Sequence, residues 1–180
     1  MALDADYLAL DDKALLAQCD VHLYRSSGPG GQHRNKVSSA VRLRHRPTSV
    51  TAHGDDSRSQ HQNKAAALRR LRMNIACRIR RVLDLADLRI PPQVCQCIFR
   101  PRGGPAQGTR RLEVGRKDQR FWTVAAFVLD LLEACGGRLA DAGDCLDVTT
   151  ANLAKLMRSD PRLFTAAQDV RKKFGQKPLT

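Results

Sequence analysis

The 180-residue sequence is long enough for one domain with an appendage, and its 31 Lys and Arg against 18 Asp and Glu give a formal net charge of +13. This charge favours a polyanionic partner, and nucleic acid is a better candidate than a membrane surface because no long apolar segment accompanies the charge. The spacing of the six cysteines does not fit a zinc site, so we expect no metal and no cofactor. The lack of a signal peptide predicts a cytoplasmic protein with free thiols.

The first third of the chain predicts a short helix and three strands. Residues 11–19 read as a helix with acidic residues at its N-terminus, and alternation over 21–25 predicts a strand that enters a glycine-rich segment. Alternation over 40–45 places Val41 and Leu43 inward and Arg42 and Arg44 outward, and residues 49–52 form a candidate third strand. Three such strands need a helix to cover their apolar face.

A long helix is predicted over residues 58–86, with Ser57 as N-cap and Gln60 completing a capping box. One face is an apolar stripe of Leu68, Leu71, Ile75, Ile79 and Val82, which we expect to pack on the sheet. The other face carries Arg69, Arg70, Arg80 and Arg81. These arginines are either solvated or bound to phosphate, and the fourteen basic residues against two aspartates between Val21 and Arg81 favour nucleic acid.

The second half of the chain changes in character. Residues 89–118 predict a basic, Pro- and Gly-rich linker with one candidate strand at 94–99. Residues 121–134 predict a buried helix that ends at Gly136 and Gly137. Residues 138–158 resemble a helix-turn-helix with Asp147 in place of the usual glycine, and a plain helical bundle is an equal alternative. A last helix at 164–174 precedes a basic tail over 171–177.

These elements predict an α+β fold in which a small sheet packs on a long helix, presents the glycine-rich loop and is followed by an all-helical appendage. We expect a first domain at residues 1–88 that carries the glycine-rich segment, the basic linker at 89–118 and the helical appendage at 119–180.

The glycine-rich segment of residues 26–35 carries the chemistry. Gly28, Gly30 and Gly31 allow positive φ and a close approach of the backbone to another molecule. Gln32 and Asn35 add amide donors and acceptors. By itself the segment is also compatible with a charged surface turn.

The neighbouring motifs decide between these interpretations. Residues 25–33 (RSSGPGGQH), 35–36 (NK), 39–43 (SAVRL), 47–48 (PT), 58–60 (RSQ) and 63–64 (NK) occur in the order and spacing of the catalytic domain of class I peptide chain release factors. The resemblance covers about residues 20–82. Arg34 and Val37 depart from the usual pattern, where valine and threonine are common, and leave the Gly30-Gly31-Gln32 tripeptide intact.

The resemblance implies hydrolysis of the peptidyl-tRNA ester in the large ribosomal subunit, with large-subunit rRNA and P-site peptidyl-tRNA as partners. Gly30 and Gly31 would shape the backbone, and the Gln32 N–H would stabilise developing negative charge while its side chain orients a water. Gln32 is also a candidate for N-methylation by a methyltransferase. His33 is read as a loop-shaping or RNA-contacting residue. The RNA-contact residues implied are Arg25, Ser27, His33, Arg34, Asn35, Lys36, Arg42, Arg58, Gln60, Asn63, Lys64, Arg69 and Arg70.

No segment resembles a stop-codon-reading domain, so the chain resembles the short, codon-independent members that rescue stalled ribosomes. Two other hypotheses stay open. One is a ribosome- or RNA-binding protein without turnover, and the other is a DNA-binding regulator built on the helix-turn-helix-like segment.

Overall fold

Residues 6–25, 39–101 and 110–179 are described by a computed structural model. Internal contacts divide the chain after Ala76 into two units, residues 6–76 and residues 77–180. The predicted α+β class is confirmed, since the chain combines a small antiparallel sheet, a long helix and a set of C-terminal helices. Within the described ranges, no helix combines the length and apolarity needed to cross a bilayer.

The first unit begins with helix α1 (Asp12–Ala17), which Asp11 caps by accepting a hydrogen bond from the Ala14 N–H at 2.7 Å. Strands β1 (Cys19–Tyr24), β2 (Ala40–His45) and β3 (Thr51–Gly54) form an antiparallel sheet in the order β1-β2-β3. The alternation predicted for β2 is confirmed, because Val41 and Leu43 are buried while the arginines between and after them are exposed. The third strand lies two residues later than predicted.

Helix α2 (Gln60–Arg78) lies against this sheet. It buries Leu68, Leu71 and Ile75, as the apolar stripe predicted. The backbones come very close at Gly54, where an added Cβ would lie 2.0 Å from the Asn63 carbonyl oxygen. A side chain at this position would therefore separate the helix from β3.

The predicted ends of this helix are corrected at both termini. The N-cap is Ser59 rather than Ser57, since the Ser59 hydroxyl accepts from the Gln62 N–H at 3.3 Å. The helix ends at Arg78 instead of residue 86, and Val82 is 82% exposed rather than part of the apolar stripe. Beyond the helix, the Arg81 N–H is bonded to the Asp130 carboxylate instead of to a helical carbonyl.

The second unit is built around helix α4. In chain order it contains α3 (Pro92–Cys95), β4 (Ile98–Phe99), β5 (Arg111–Leu112), α4 (Phe121–Ala134), α5 (Leu139–Leu146), α6 (Thr150–Arg158) and α7 (Pro161–Lys173). The α4 bounds agree with the prediction, and eleven of its fourteen residues are buried. The positive φ of Gly136 and Gly137 ends the helix where predicted, because glycine tolerates that conformation without strain.

The described part of the predicted linker is packed into this helical core. Val94, Cys97 and Leu112 are buried in the same cluster as the residues of α4. The single strand predicted at 94–99 is replaced by α3 followed by the two-residue β4, which pairs with β5. The function of residues 89–118 as a linker, with limits at 88 and 118, stays a prediction.

Helices α5 and α6 are joined by a three-residue turn in which Asp147 has φ 54°. Asp147 thus adopts the left-handed conformation that a glycine would normally occupy, which a short polar side chain tolerates. The backbones come close at Gly143, where an added Cβ would lie 2.7 Å from the Val148 carbonyl oxygen. The helix-turn-helix and bundle interpretations both remain compatible with this geometry.

The basic tail is folded back against α7. The Arg171 Nε donates to the Lys177 carbonyl at 2.9 Å, and the Gln168 side chain bonds both the N–H and the carbonyl of Leu179. The tail predicted at 171–177 is therefore part of the helical unit in this structure, and its first three residues close α7.

Candidate functional site

The predicted catalytic residues Gly30, Gly31 and Gln32 lie outside the described residues. The same is true of Ser27, His33, Arg34, Asn35 and Lys36. The structure describes the two ends of this segment, Arg25 after β1 and Ser39 before β2. The elements that flank the candidate site are therefore β1 on one side and β2 on the other.

The outer face of the sheet carries exposed positive charge. Arg42 lies in the middle strand, in register with His22 on one side and His53 on the other, and all three are exposed. Arg44 follows on the same face, because residues two apart on a strand point to the same side. Across the described sheet, the acid in register with Arg44 is Asp20, which forms an ion pair with Arg46 at 3.3 Å. Arg42 thus lies on a basic surface, as an RNA contact requires.

Tyr24 and His53 bridge the sheet next to the glycine-rich segment. The Tyr24 hydroxyl is hydrogen-bonded to the His53 Nδ1 at 3.2 Å, with the rings edge to face at 5.9 Å between centroids. Burial raises the pKa of Tyr24, and the nearby charge of Asp55 acts in the same direction. The phenol therefore stays protonated and can donate to His53, which links the end of β1 to β3 across β2.

The described residues among the other expected RNA contacts differ in their availability. Arg25, Arg58, Gln60 and Arg69 are exposed, and Lys64 is half-buried. Arg70 is instead engaged within the unit, since its Nη1 donates to the His53 carbonyl and its Nη2 pairs with Asp56, both at 2.8 Å. Its charge is compensated, so a contact with phosphate would have to compete with these partners.

Asn63 departs from its expected role as an RNA contact. It is 1% exposed, and its Nδ2 donates to the Ser39 carbonyl at 2.8 Å and to the Ser57 carbonyl at 2.7 Å. Its Oδ1 accepts from the Ser57 N–H at 2.8 Å. A buried side chain with these three bonds does not present its amide to a partner, and we correct the expectation on this point.

The sequence contains a signal for this burial. Asn63 precedes the buried Ala67 and Leu71 by four and eight residues, which places all three on one helical stripe. The bridge between Tyr24 and His53, in contrast, has no local signal, because the two residues are 29 apart in sequence.

Two arginines of the predicted phosphate-binding face are used inside the second unit. Arg80 Nη1 and Arg81 Nε bond the Asp130 carboxylate at 3.1 and 2.9 Å, and the Asp130 side chain is almost fully buried. Burial raises the pKa of Asp130, although both guanidinium groups oppose the shift. Burial lowers the pKa of Arg80, because it disfavours the charged form of a base as it does that of an acid. The two half-buried arginines thus form ion pairs with a buried carboxylate instead of a solvated face, which corrects the prediction for Arg80 and Arg81.

Comparison with known proteins assigns the segment that contains this site. Residues 14–84 match the family model of the RF-1 domain. These residues include strands β1 to β3, helix α2 and the glycine-rich segment. The chain therefore contains an RF-1 domain, the catalytic domain of class I release factors, as the motifs had indicated.

The similar proteins are peptide chain release factors 1 and 2. Peptide chain release factor 1 of Leptothrix cholodnii is 50% identical over 64 residues, which are 36% of this chain and 18% of that protein. The corresponding protein of Limosilactobacillus reuteri is 54% identical over 55 residues, 31% of this chain and 15% of its own length. Peptide chain release factor 2 of Neorickettsia sennetsu is 43% identical over 68 residues, 38% and 18% respectively. The chain thus spans less than a fifth of the length of these relatives.

Proposed function

We propose that this chain hydrolyses the ester bond of peptidyl-tRNA in the large ribosomal subunit, independently of a stop codon. The observation that carries the proposal is the Gly30-Gly31-Gln32 tripeptide inside the segment that matches the RF-1 domain. The exposed basic face around Arg42 supports binding to ribosomal RNA, since phosphate contacts supply most of the affinity for nucleic acid.

In the proposed reaction, a water adds to the ester carbonyl carbon of the P-site peptidyl-tRNA. The bond from that carbon to the tRNA oxygen then breaks, the tRNA oxygen takes up a proton, and the peptide leaves as a carboxylic acid. The Gln32 backbone N–H stabilises the negative charge on oxygen, and the Gln32 side chain orients the water. Gly30 and Gly31 leave room for this approach.

The finer parts of the proposal rest on the resemblance to short release-factor-like proteins. They are action on stalled ribosomes, a cytoplasmic location and N-methylation of Gln32 by a methyltransferase. RNA contacts are proposed for Arg25, Ser27, His33, Arg34, Asn35, Lys36, Arg42, Arg58, Gln60, Lys64, Arg69 and Arg70. Asn63 is left out because its side chain is buried.

A release assay tests the proposal. Purified protein is added to ribosomes that carry labelled peptidyl-tRNA and either no mRNA in the A site or a sense codon there, and the freed peptide is measured. We expect release without a stop codon. Gly31→Ala should lose on the order of 100-fold or more in rate, as expected for misplacement of a transition-state donor, while still binding ribosomes.

The outcomes separate this proposal from the alternative of a ribosome- or RNA-binding protein without turnover. Tight binding with no release by the wild-type protein would favour the alternative. Release by Gly31→Ala at the wild-type rate would refute the catalytic assignment of the tripeptide. Release that requires a stop codon would refute the codon-independent part.

A further inference from the structure

Asn63 connects three backbone groups, one of which is the carbonyl of Ser39, the first described residue after the glycine-rich segment. It reaches from α2 to Ser39, 24 residues earlier in the chain, and to Ser57, six residues earlier. All three contacts are between 2.7 and 2.8 Å. Asn63 is thus a buried side chain that joins backbone groups far apart in the chain.

Both N–H donors of the Asn63 side chain are engaged in hydrogen bonds. An amide has two N–H donors, and those of Asn63 go to the carbonyls of Ser39 and Ser57, while its oxygen accepts from the Ser57 N–H. Aspartate would keep the acceptor and lose both donors, and alanine would lose all three bonds. Glutamine is longer by one methylene in a fully buried position. Asparagine is therefore the residue that this geometry requires.

The hydrogen bond from Asn63 to Ser39 is important because of where Ser39 lies in the chain. Ser39 directly precedes β2 and is the first described residue after the segment that contains Gly30, Gly31 and Gln32. The Asn63 hydrogen bond fixes the Ser39 carbonyl to α2, whose apolar stripe packs against the sheet. At the other end, β1 stops at Tyr24, which is held by His53. Tyr24 and Ser39, which are described on either side of the segment, thus each take part in a specific side-chain contact.

We propose that Asn63 is a positioning residue for ester hydrolysis, acting through the backbone at Ser39 on the placement of the tripeptide. The inference rests on the proposed function. Catalysis by an oriented water and a backbone donor is sensitive to small displacements, and a shift of about 1 Å costs on the order of 100-fold in rate. Loss of the Ser39 contact should therefore lower the rate of the chemical step, not the affinity for the ribosome.

The test compares Asn63 with a matched residue of the same helix. Asn74 is also an asparagine of α2, and its Nδ2 donates to the Thr51 carbonyl at 2.8 Å, in β3 and away from the glycine-rich segment. Asn63→Asp and Asn74→Asp each remove side-chain donors to backbone carbonyls and add one negative charge. Asn63→Ala checks that an effect of Asn63→Asp comes from the lost donors and not from the new charge.

Single-turnover peptide release is measured as a function of protein concentration for the wild-type protein and the three variants, with folding verified by circular dichroism. We expect both Asn63 variants to lose on the order of 100-fold in the maximal rate, with an unchanged half-saturating concentration. Asn74→Asp should keep both parameters. In parallel, amide hydrogen exchange at Ser57 should accelerate in Asn63→Ala and stay unchanged in Asn74→Asp.

Several results would overturn the inference. They are wild-type maximal rates in both Asn63 variants, an equal loss in Asn74→Asp, and unchanged exchange at Ser57 in Asn63→Ala. Failure of both Asn63 variants to fold, with Asn74→Asp folded, would do the same, because the residue would then act on stability alone. Absence of release by the wild-type protein would instead overturn the proposed function, and the catalytic role of Asn63 with it.

Discussion

Gly54→Ala tests how closely α2 must lie against the sheet. The new Cβ would be 2.0 Å from the Asn63 carbonyl oxygen and 2.9 Å from the Ala67 nitrogen, both atoms of the helix backbone. Ordinary van der Waals contact begins at 3.4 Å, so the helix would have to retreat by the difference of about 1.4 Å. A displacement of this size would stretch the bonds from Asn63 to Ser39 and Ser57 beyond hydrogen-bonding distance.

The terms can be weighed against one another. Overpacking costs about 1–3 kcal/mol, and each partly buried carbonyl left unpaired costs about 1–3 kcal/mol more. In the opposite direction, Gly54 has no positive φ, so alanine would gain about 0.4–1 kcal/mol by restricting the unfolded chain. The unfavourable terms dominate, and we expect a net loss of at least about 2 kcal/mol in the free energy of unfolding.

Gly115→Ala is the matched control, because a Cβ there meets no atom within 4 Å and its φ is also not positive. We expect this variant to equal the wild-type protein or to gain up to about 1 kcal/mol. The assay is urea denaturation followed by circular dichroism, with hydrogen exchange at β2 to attribute the change to residues 6–76. Equal stabilities of Gly54→Ala and Gly115→Ala would refute the packing argument, since the interface would then accommodate a methyl group.

Two further predictions concern charge. Asp130→Ala should lower the free energy of unfolding by about 3–5 kcal/mol, because it removes the buried carboxylate that pairs with the half-buried Arg80 and Arg81. Asp141→Ala removes an exposed pair and should cost less than about 1 kcal/mol. Similar losses in the two variants by urea denaturation would contradict this. For His45, burial lowers the pKa below the ordinary 6.5, with the charge of a neighbouring arginine as a second cause, so the unfolded chain takes up the proton first. The stability that this histidine contributes above pH 6.5 should therefore be lost as the pH falls through its folded-state pKa. His45→Gln should remove that part of the pH dependence of unfolding. An identical pH profile in the variant would exclude His45 as the cause.

Several features could be predicted because they depend on nearby residues. The alternation around Val41 and Leu43 correctly predicted which face of β2 is buried, and the continuous apolar run correctly predicted α4 with both of its ends. Gly136 and Gly137 ended that helix as expected. In each case the pattern is set by the pleat of a strand, the turn of a helix or the φ freedom of glycine.

Other features could not be predicted because they depend on residues far away in the chain. The end of α2 at Arg78 goes with a bond from the Arg81 N–H to Asp130, 49 residues further on. The apolar side chains of the proline-rich stretch around Val94 are buried in the helical core, which composition alone does not predict. A helical wheel for α2 also cannot distinguish a phosphate-binding arginine from one that pairs with a buried carboxylate.

The chemistry proposed for this protein comes from the sequence by itself, because the tripeptide Gly30-Gly31-Gln32 and the ordered motifs around it are defined by residue type and spacing. The sequence also determined the three strands, the long helix and the buried helix α4, whose periodicities are local. Only the tertiary structure decided that the buried Asn63 side chain is hydrogen-bonded to the Ser39 carbonyl, that Arg70 is paired with Asp56, and that the basic tail folds back on α7. The physical reason is that the role of a polar side chain is decided by the partner it meets, and these partners are set by the packing of whole elements.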